Sequence, residues 1–153
     1  MGKEIERKFL VEGEAWRQRG TSVRIRQGYL STDPERTVRV RVLGEHGKLT
    51  VKGKSSGIVR AEFEYDVPLE DAEAMLSLCL APLLEKTRTT IAVGDVCWEV
   101  DEFFGENAGL VVAEVELASA EQRIVVPEWV GTEVSDDPRY YNANLLAHPY
   151  SRW

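Results

Sequence analysis

Five segments of this chain each carry two like charges two residues apart: Glu4/Glu6, Arg39/Arg41, Glu62/Glu64, Lys86/Arg88 and Glu114/Glu116. In an extended strand successive side chains alternate between faces, so residues i and i+2 share one face. Each segment therefore sets like charges side by side, which is repulsive unless something compensates it. The stretch EIERKFLV at 4–11 is the sharpest case, with Glu4, Glu6 and Lys8 on one face and Ile5, Arg7 and Phe9 on the other. A divalent cation between the glutamates, or an anion reaching the lysine, would relieve that face.

The same alternation recurs along the chain, and it predicts strand far more often than helix. Further strands are expected at 21–31, 37–43, 49–54, 58–67, 84–93, 96–104 and 110–118, which makes eight with the first. Turns follow from DPER at 33–36, GEHGK at 44–48, SSG at 55–57 and Gly94-Asp95. A helix is expected at 70–80, with acids in its first turn and Ala72, Met75, Leu76 and Cys79 on its apolar stripe. GEAWRQRG and SAEQRI read as short helical or irregular pieces, and 139–147 as a terminal helix before Pro149. The expected fold is α+β: one domain over 1–153, an eight-stranded antiparallel β-barrel with a few helices packed outside.

Composition narrows the classes. Hydrophobic residues at 43% and charged residues at 29% describe a globular chain rather than a disordered one. A net charge of -7, with bases interleaved among acids, argues against a nucleic-acid partner, since duplex binders present a basic face. No apolar run reaches the roughly 18 residues of a membrane span, and MGKEIERK carries no apolar signal core, so a cytoplasmic location is expected. Cys79 and Cys97 sit in apolar surroundings without metal-ligand spacing and read as two buried thiols. A homodimer is compatible with the sequence, which does not specify oligomeric state.

One strand face collects Glu4, Glu6, Lys8, Arg39, Arg41, Lys52, Glu62, Glu64, Lys86, Arg88, Asp101, Glu114 and Glu116, and the other collects aliphatic and aromatic side chains. Periodicity does not say which face looks inward, and an ordinary barrel would leave its charges in solvent. Three features favour the inverse. The charges come as like pairs without the Ser, Thr and Gln of a solvated face. Acids and bases segregate by strand, so closure would give a lumen with an acidic patch and a basic patch. The amphipathic helical pieces are available to cover an apolar exterior.

The opening EIERKFLV resembles the Glu-x-Glu-x-Lys signature of the CYTH domain, whose members are called triphosphate tunnel metalloenzymes. The resemblance continues in order through Arg39/Arg41, Lys52, Glu62/Glu64, Lys86/Arg88, Asp101 and Glu114/Glu116, nearly the whole chain. It implies an eight-stranded antiparallel tunnel that binds a triphosphate end-on with Mg²⁺ or Mn²⁺. Members include inorganic triphosphatases, thiamine triphosphatases, class IV adenylate cyclases and fungal RNA triphosphatases.

The residue chemistry agrees. Carboxylate clusters suit hard divalent cations, which makes Glu4, Glu6, Asp101, Glu114 and Glu116 candidate ligands, with Glu62 and Glu64 as further ones. Lys8, Arg39, Arg41, Lys52, Lys86 and Arg88 form the candidate phosphate cradle. The expected reaction is attack on the terminal phosphorus by a water activated at a Glu114/Glu116 metal site. Lys8, Lys52 or Arg88 would stabilise the leaving diphosphate.

Other residues carry less. Tyr29 is placed as a packing residue, although some members use a tyrosine in this region to assist a lysine; Arg24 and Arg26 have no assigned role. Gly53-Lys54-Ser55 is not a P-loop, because Gly47 lies one residue too far upstream and a hairpin is not strand-loop-helix. His46 and His148 are expected in solvent, and Trp98, Tyr140 and Tyr141 in packing, with the terminal segment able to plug one tunnel mouth. Little chain remains outside the tunnel to recognise adenosine or thiamine. Inorganic tripolyphosphate is therefore the expected substrate; the alternatives are a class IV adenylate cyclase, a thiamine triphosphatase and a non-catalytic polyphosphate-binding module.

Overall fold

The computed structural model describes residues 2–153. Nine strands follow in chain order: β1 (Lys3–Val11), β2 (Thr21–Ser31), β3 (Thr37–Leu43), β4 (His46–Lys52), β5 (Val59–Val67), β6 (Leu80–Val93), β7 (Val96–Phe103), β8 (Val111–Glu116) and β9 (Val130–Glu133). A single α-helix, α1 (Leu69–Leu76), lies between β5 and β6. The strands pair antiparallel in the order β5-β4-β3-β2-β6-β7-β8-β1, and β1 pairs back onto β5 to close the barrel. The ninth strand adds to β1 outside the ring, pairing at Phe9 and Val11.

Two connections are as tight as a hairpin allows. Leu43 pairs with His46 and Val93 with Val96, leaving two residues in each turn. Gly44 and Gly94 take φ of 58° and 60° there, a region that a side chain disfavours. Tightness explains why β4 starts three residues before the expected 49.

Charged side chains point inward and the apolar faces outward, the reverse of an ordinary barrel. The outer faces are the core because other parts of the chain cover them. Over β1, β6, β7 and β8, Phe9, Trp98, Val100 and Val115 pack under Trp16 and Trp129. Trp98 is fully buried, with ring centroids 5.4 Å from Phe9 and 5.8 Å from Trp129. Helix α1 covers the other side, its Ala72 and Leu76 on Val40 and Val42. The helix lies so close to the sheet that a Cβ on Gly47 would come within 2.6 Å of Ala72 Cβ.

Several expectations differ from what the chain does. The helix stops at Leu76 rather than 80, and β6 begins at Leu80 rather than 84, because Ser77–Cys79 turn the chain back into the sheet. No terminal helix spans 139–147. Two 3₁₀ turns, Pro138–Tyr140 and Asn142–Leu145, stand there, seating Tyr140 and Leu145 in an apolar cluster at one barrel end. The stretch 119–124 forms a turn, not a helix, with the Gln122 side chain bonded to Ala118 N. Cys97 is exposed and Cys79 half-buried, so the thiols are not a buried pair. Cys97 alternates with buried Trp98 and so faces away from the core on the covered side of its strand. No helix among the described residues is long and apolar enough to cross a membrane.

The covered outer face should carry the stability. Trp98→Ala is expected to lower unfolding free energy by about 3–5 kcal/mol in urea titration; an unchanged midpoint and slope would place the core elsewhere.

Candidate active site

Strand order sorts the charges before any side chain is placed. Strands β7, β8, β1 and β5 are consecutive around the ring and carry Glu99, Asp101, Glu114, Glu116, Glu4, Glu6, Glu62 and Glu64. Strands β4, β3, β2 and β6 complete it, carrying Lys52, Arg39, Arg41, Lys86 and Arg88, while β2 supplies Gln27 and Tyr29. The tunnel thus has an acidic wall and a basic wall. Lys8 on β1 and Arg60 on β5 are exceptions, bases on the acidic side.

The walls meet in ion pairs. Where β6 adjoins β7, Arg88 donates to both Asp101 oxygens at 2.8 and 2.9 Å, and Lys86 Nζ lies 2.8 Å from the same carboxylate. Where β4 adjoins β5, Lys52 lies 3.3 Å from Glu62, and Arg41 reaches past β4 from β3 to bond Glu64 at 3.0 Å. Lys52 also reaches Glu4 at 3.2 Å, and Lys8 sits 3.4 Å from Glu114. Such buried pairs persist only when both charges are matched, since an unpaired charge in a poorly solvated interior is strongly unfavourable.

Titration follows this geometry. Burial favours the neutral form of Asp101, but Arg88 and Lys86 outweigh it and hold the carboxyl down at about 2. Burial likewise opposes ionisation of Glu114, and Lys8, Arg88 and Lys86 hold it well below the usual range. Glu6 goes the other way: burial, then Glu114 and Glu4, raise it well above an ordinary glutamate. Glu62 is pushed up to about 7 by burial and by its hydrogen bond with Glu4. Burial lowers Lys86 to about 8, and repulsion by Arg88 and Arg41 adds to it against the attraction of Asp101 and Glu114. Glu6 keeps some surface towards the water of the tunnel although protein surrounds it deeply.

A cavity of about 300 Å³ opens onto Lys8, Arg39, Lys52, Lys86, Arg88 and Glu114. The C-terminal segment closes part of that end. Asn142 accepts a hydrogen bond from Lys86 at 2.8 Å and one from Gln27 at 3.1 Å, and the Tyr140 carbonyl accepts from Lys8 at 3.2 Å. Arg39 Nε and Arg41 Nε are buried without an acceptor, so two guanidinium donors are unused. Arg39 approaches Glu64 only at 3.9 Å.

Every charged residue expected in the site lies on the tunnel face, but not all are equally available. Both oxygens of Asp101 are taken by Arg88 and Lys86, which places it as their counter-ion rather than beside Glu4 and Glu6. Glu116 and Glu64 stand at the more open, acidic mouth. Tyr29 is buried in the apolar end cluster, yet its hydroxyl accepts from Gln27 and borders the cavity. Arg24 and Arg26 face outward, onto the Phe104 ring and Glu73 respectively. His46 and His148 are exposed. Glu99, which strand alternation sets on one face with Asp101, was not among the candidate site residues, yet it lies 3.3 Å from Arg88. Asn142 lies in a 3₁₀ turn without strand period, so nothing local marked it.

The donor set suits a hard divalent cation. Glu4, Glu6, Glu62, Glu114 and Glu116 crowd one wall, where Lys8 and Lys52 pair with some of them and Arg88 comes within 3.8 Å of Glu114; burial, then Glu114 and Glu4, still raise the Glu6 carboxyl. Among the described residues no three metal-binding side chains already converge as a finished cage. A cation here would complete its shell with water or substrate oxygens, as Mg²⁺ commonly does.

Known proteins resemble this chain in sequence and fold. The CYTH domain profile matches residues 2–146. An inorganic triphosphatase of Acetivibrio thermocellus is 48% identical over 154 residues, covering 100% of this chain and 99% of that protein. One from Nitrosomonas europaea is 35% identical over 150 residues, covering 93% of this chain and 95% of that protein. A crystal structure of an inorganic triphosphatase superposes with a TM-score of 0.63 at 34% identity, covering 94% of this chain and 97% of that one. By profile, by full-length identity and by barrel architecture, this chain belongs to the CYTH domain family.

Proposed function

We propose that this protein is a divalent-metal-dependent triphosphatase, a single tunnel domain that hydrolyses inorganic tripolyphosphate to diphosphate and phosphate. The observation that carries the reading is the pair of opposed walls, with Arg39 Nε and Arg41 Nε buried in the basic wall without an acceptor, and a cavity bordered by Arg39 and further bases. A linear polyanion supplies acceptors to the basic wall, and a cation offsets the acidic one. The curated relatives named as inorganic triphosphatases support the same chemistry. Two free thiols, Cys79 and Cys97, fit a reducing compartment such as the cytoplasm.

The residues divide the task. Lys8, Arg39, Arg41, Lys52, Lys86 and Arg88 bind phosphate oxygens, the arginines through paired N–H donors. Asp101 keeps Arg88 and Lys86 extended into the lumen. Glu4, Glu6, Glu114 and Glu116 would hold Mg²⁺ or Mn²⁺, with Glu62 and Glu64 beside them. That ion, when bound, neutralises phosphate charge and makes a coordinated water more acidic.

Hydrolysis forms one bond from water oxygen to the terminal phosphorus and breaks the bond to the bridging oxygen, which leaves on diphosphate. Burial, then Glu4 and Glu99, raise the Glu116 carboxyl when no cation offsets them; the water's proton leaves to solvent through the open mouth where Glu116 stands. Lys8, Lys52 and Arg88 stabilise the charge that gathers on the departing diphosphate.

Phosphate release from tripolyphosphate, ATP and thiamine triphosphate is the deciding assay. Tripolyphosphate is expected to be the best substrate with Mg²⁺ or Mn²⁺, and EDTA to stop turnover. Cyclic AMP from ATP would establish a cyclase instead, and tight binding without turnover a binding module. Glu116→Gln is expected to slow turnover by about 100-fold or more at unchanged melting temperature; full activity would remove Glu116 from the mechanism.

Proton linkage gives a second test. Glu6 and Glu62 have raised pKa values, so near neutrality the acidic wall retains protons that a cation must displace. Mn²⁺ binding is therefore expected to tighten from pH 6 to pH 8 and to release protons at pH 7. Calorimetry in buffers of different ionisation enthalpy reads that release, and a pH-independent affinity would contradict the shared protons.

A further inference from the structure

One base at the cavity is not committed to a carboxylate. Arg60 on β5 is the register partner of Glu4 on β1, yet Glu4 is bonded by Lys52 instead, at 3.2 Å to each oxygen. Arg60 turns to two neutral acceptors: its Nε donates to the Gly53 carbonyl at 2.6 Å and its Nη2 to Thr37 Oγ1 at 2.9 Å. No carboxylate of the described residues lies within salt-bridge distance of it, whereas Lys8, Arg39, Lys52, Lys86 and Arg88 each have one. Lys54, the remaining base at this mouth, swings in solvent at 73% side-chain exposure. Arg60 is half-buried and tethered, and it borders the cavity beside Thr37 and Lys52.

A guanidinium has five N–H donors in a rigid fork. Two are used by the tether, and Nη1 with the second Nη2 proton remains. That edge has the geometry of a bidentate phosphate contact. Thr37 is only 4% exposed, so the anchor holding the fork is itself fixed.

We infer that Arg60 is a further substrate-binding residue, holding a phosphate of the diphosphate portion at the end of the cavity bordered by Thr37, Lys52 and Lys54. The assignment rests on the triphosphatase reading and deepens it. Arg60 shares strand parity with Glu62 and Glu64, which places all three on the tunnel face. Its charge is presented to an incoming anion without a carboxylate having to be displaced first. The contact also discriminates, because it rewards a ligand with a charged group at this mouth.

The test compares the wild type with Arg60→Gln, which keeps a donor but removes the charge, and Arg60→Lys, which keeps the charge but loses the fork. Calorimetric binding of tripolyphosphate and of diphosphate in EDTA is read beside KM and kcat with Mn²⁺. Arg60→Gln is expected to weaken both anions and raise KM by about tenfold, the scale of one charge-assisted contact, while Arg60→Lys stays within about threefold. Arg60→Met removes the charge by a second route, so a folding defect in one variant does not decide the result. Anion affinities within about twofold of wild type in both neutral variants would overturn the inference. So would equal losses in Arg60→Lys and Arg60→Gln, which would trace the effect to the Thr37–Gly53 tether alone. A wild type that neither binds nor cleaves tripolyphosphate would overturn the functional reading itself, and this assignment with it.

Discussion

Charge placed inside a barrel has to be answered by charge across the barrel. Lys8, Arg39, Arg41, Lys86, Arg88, Asp101 and Glu114 are all buried, and each would be strongly unfavourable alone. Here the strand order answers the requirement, because four acid-bearing strands are consecutive around the ring and face the strands that bear the bases. The ion pairs at the two seams, Arg88–Asp101 and Arg41–Glu64, join the walls. This arrangement also defines what can enter. On the proposed function, a polyanion would take over acceptor duty from the acids and a cation donor duty from the bases, and the pairs they loosen would couple the binding of the two.

Filling the lumen with charge removes it as a place for a hydrophobic core. The apolar faces therefore look outward, and the rest of the chain exists largely to cover them. Trp16, Trp129 and α1 do so over separate sectors. Packing and chemistry lie on opposite faces of the same strands, one residue out of phase. A side chain can change on the tunnel face with little direct effect on the Trp98 cluster, and the reverse also holds. The C-terminal segment, like Tyr29, serves both. Its Tyr140 and Leu145 pack into the apolar end cluster, while Asn142 and the Tyr140 carbonyl bond Lys86 and Lys8.

Much of this was legible from local pattern. Alternation located the barrel strands, and like-charge pairing marked Glu4/Glu6, Arg39/Arg41 and their counterparts as one charged face, because i and i+2 geometry needs no knowledge of the rest of the fold. Element ends were read less well at Leu76 and Leu80, where a short turn returns the helix to the sheet. The four-residue β9 is too short to show a period. Asn142 had no signal at all, since its neighbours Lys86 and Gln27 are 56 and 115 residues away in sequence.

By itself, then, the amino-acid order determined the strands, their faces and the chemical character of each face, since these depend on neighbours two residues apart. Only the tertiary structure decided that the charged face turns inward, that Asp101 serves Arg88 and Lys86, and that Arg60 is left without a carboxylate. Those outcomes depend on which distant strands become neighbours, and on which of several oppositely charged partners lies nearest once the ring is closed.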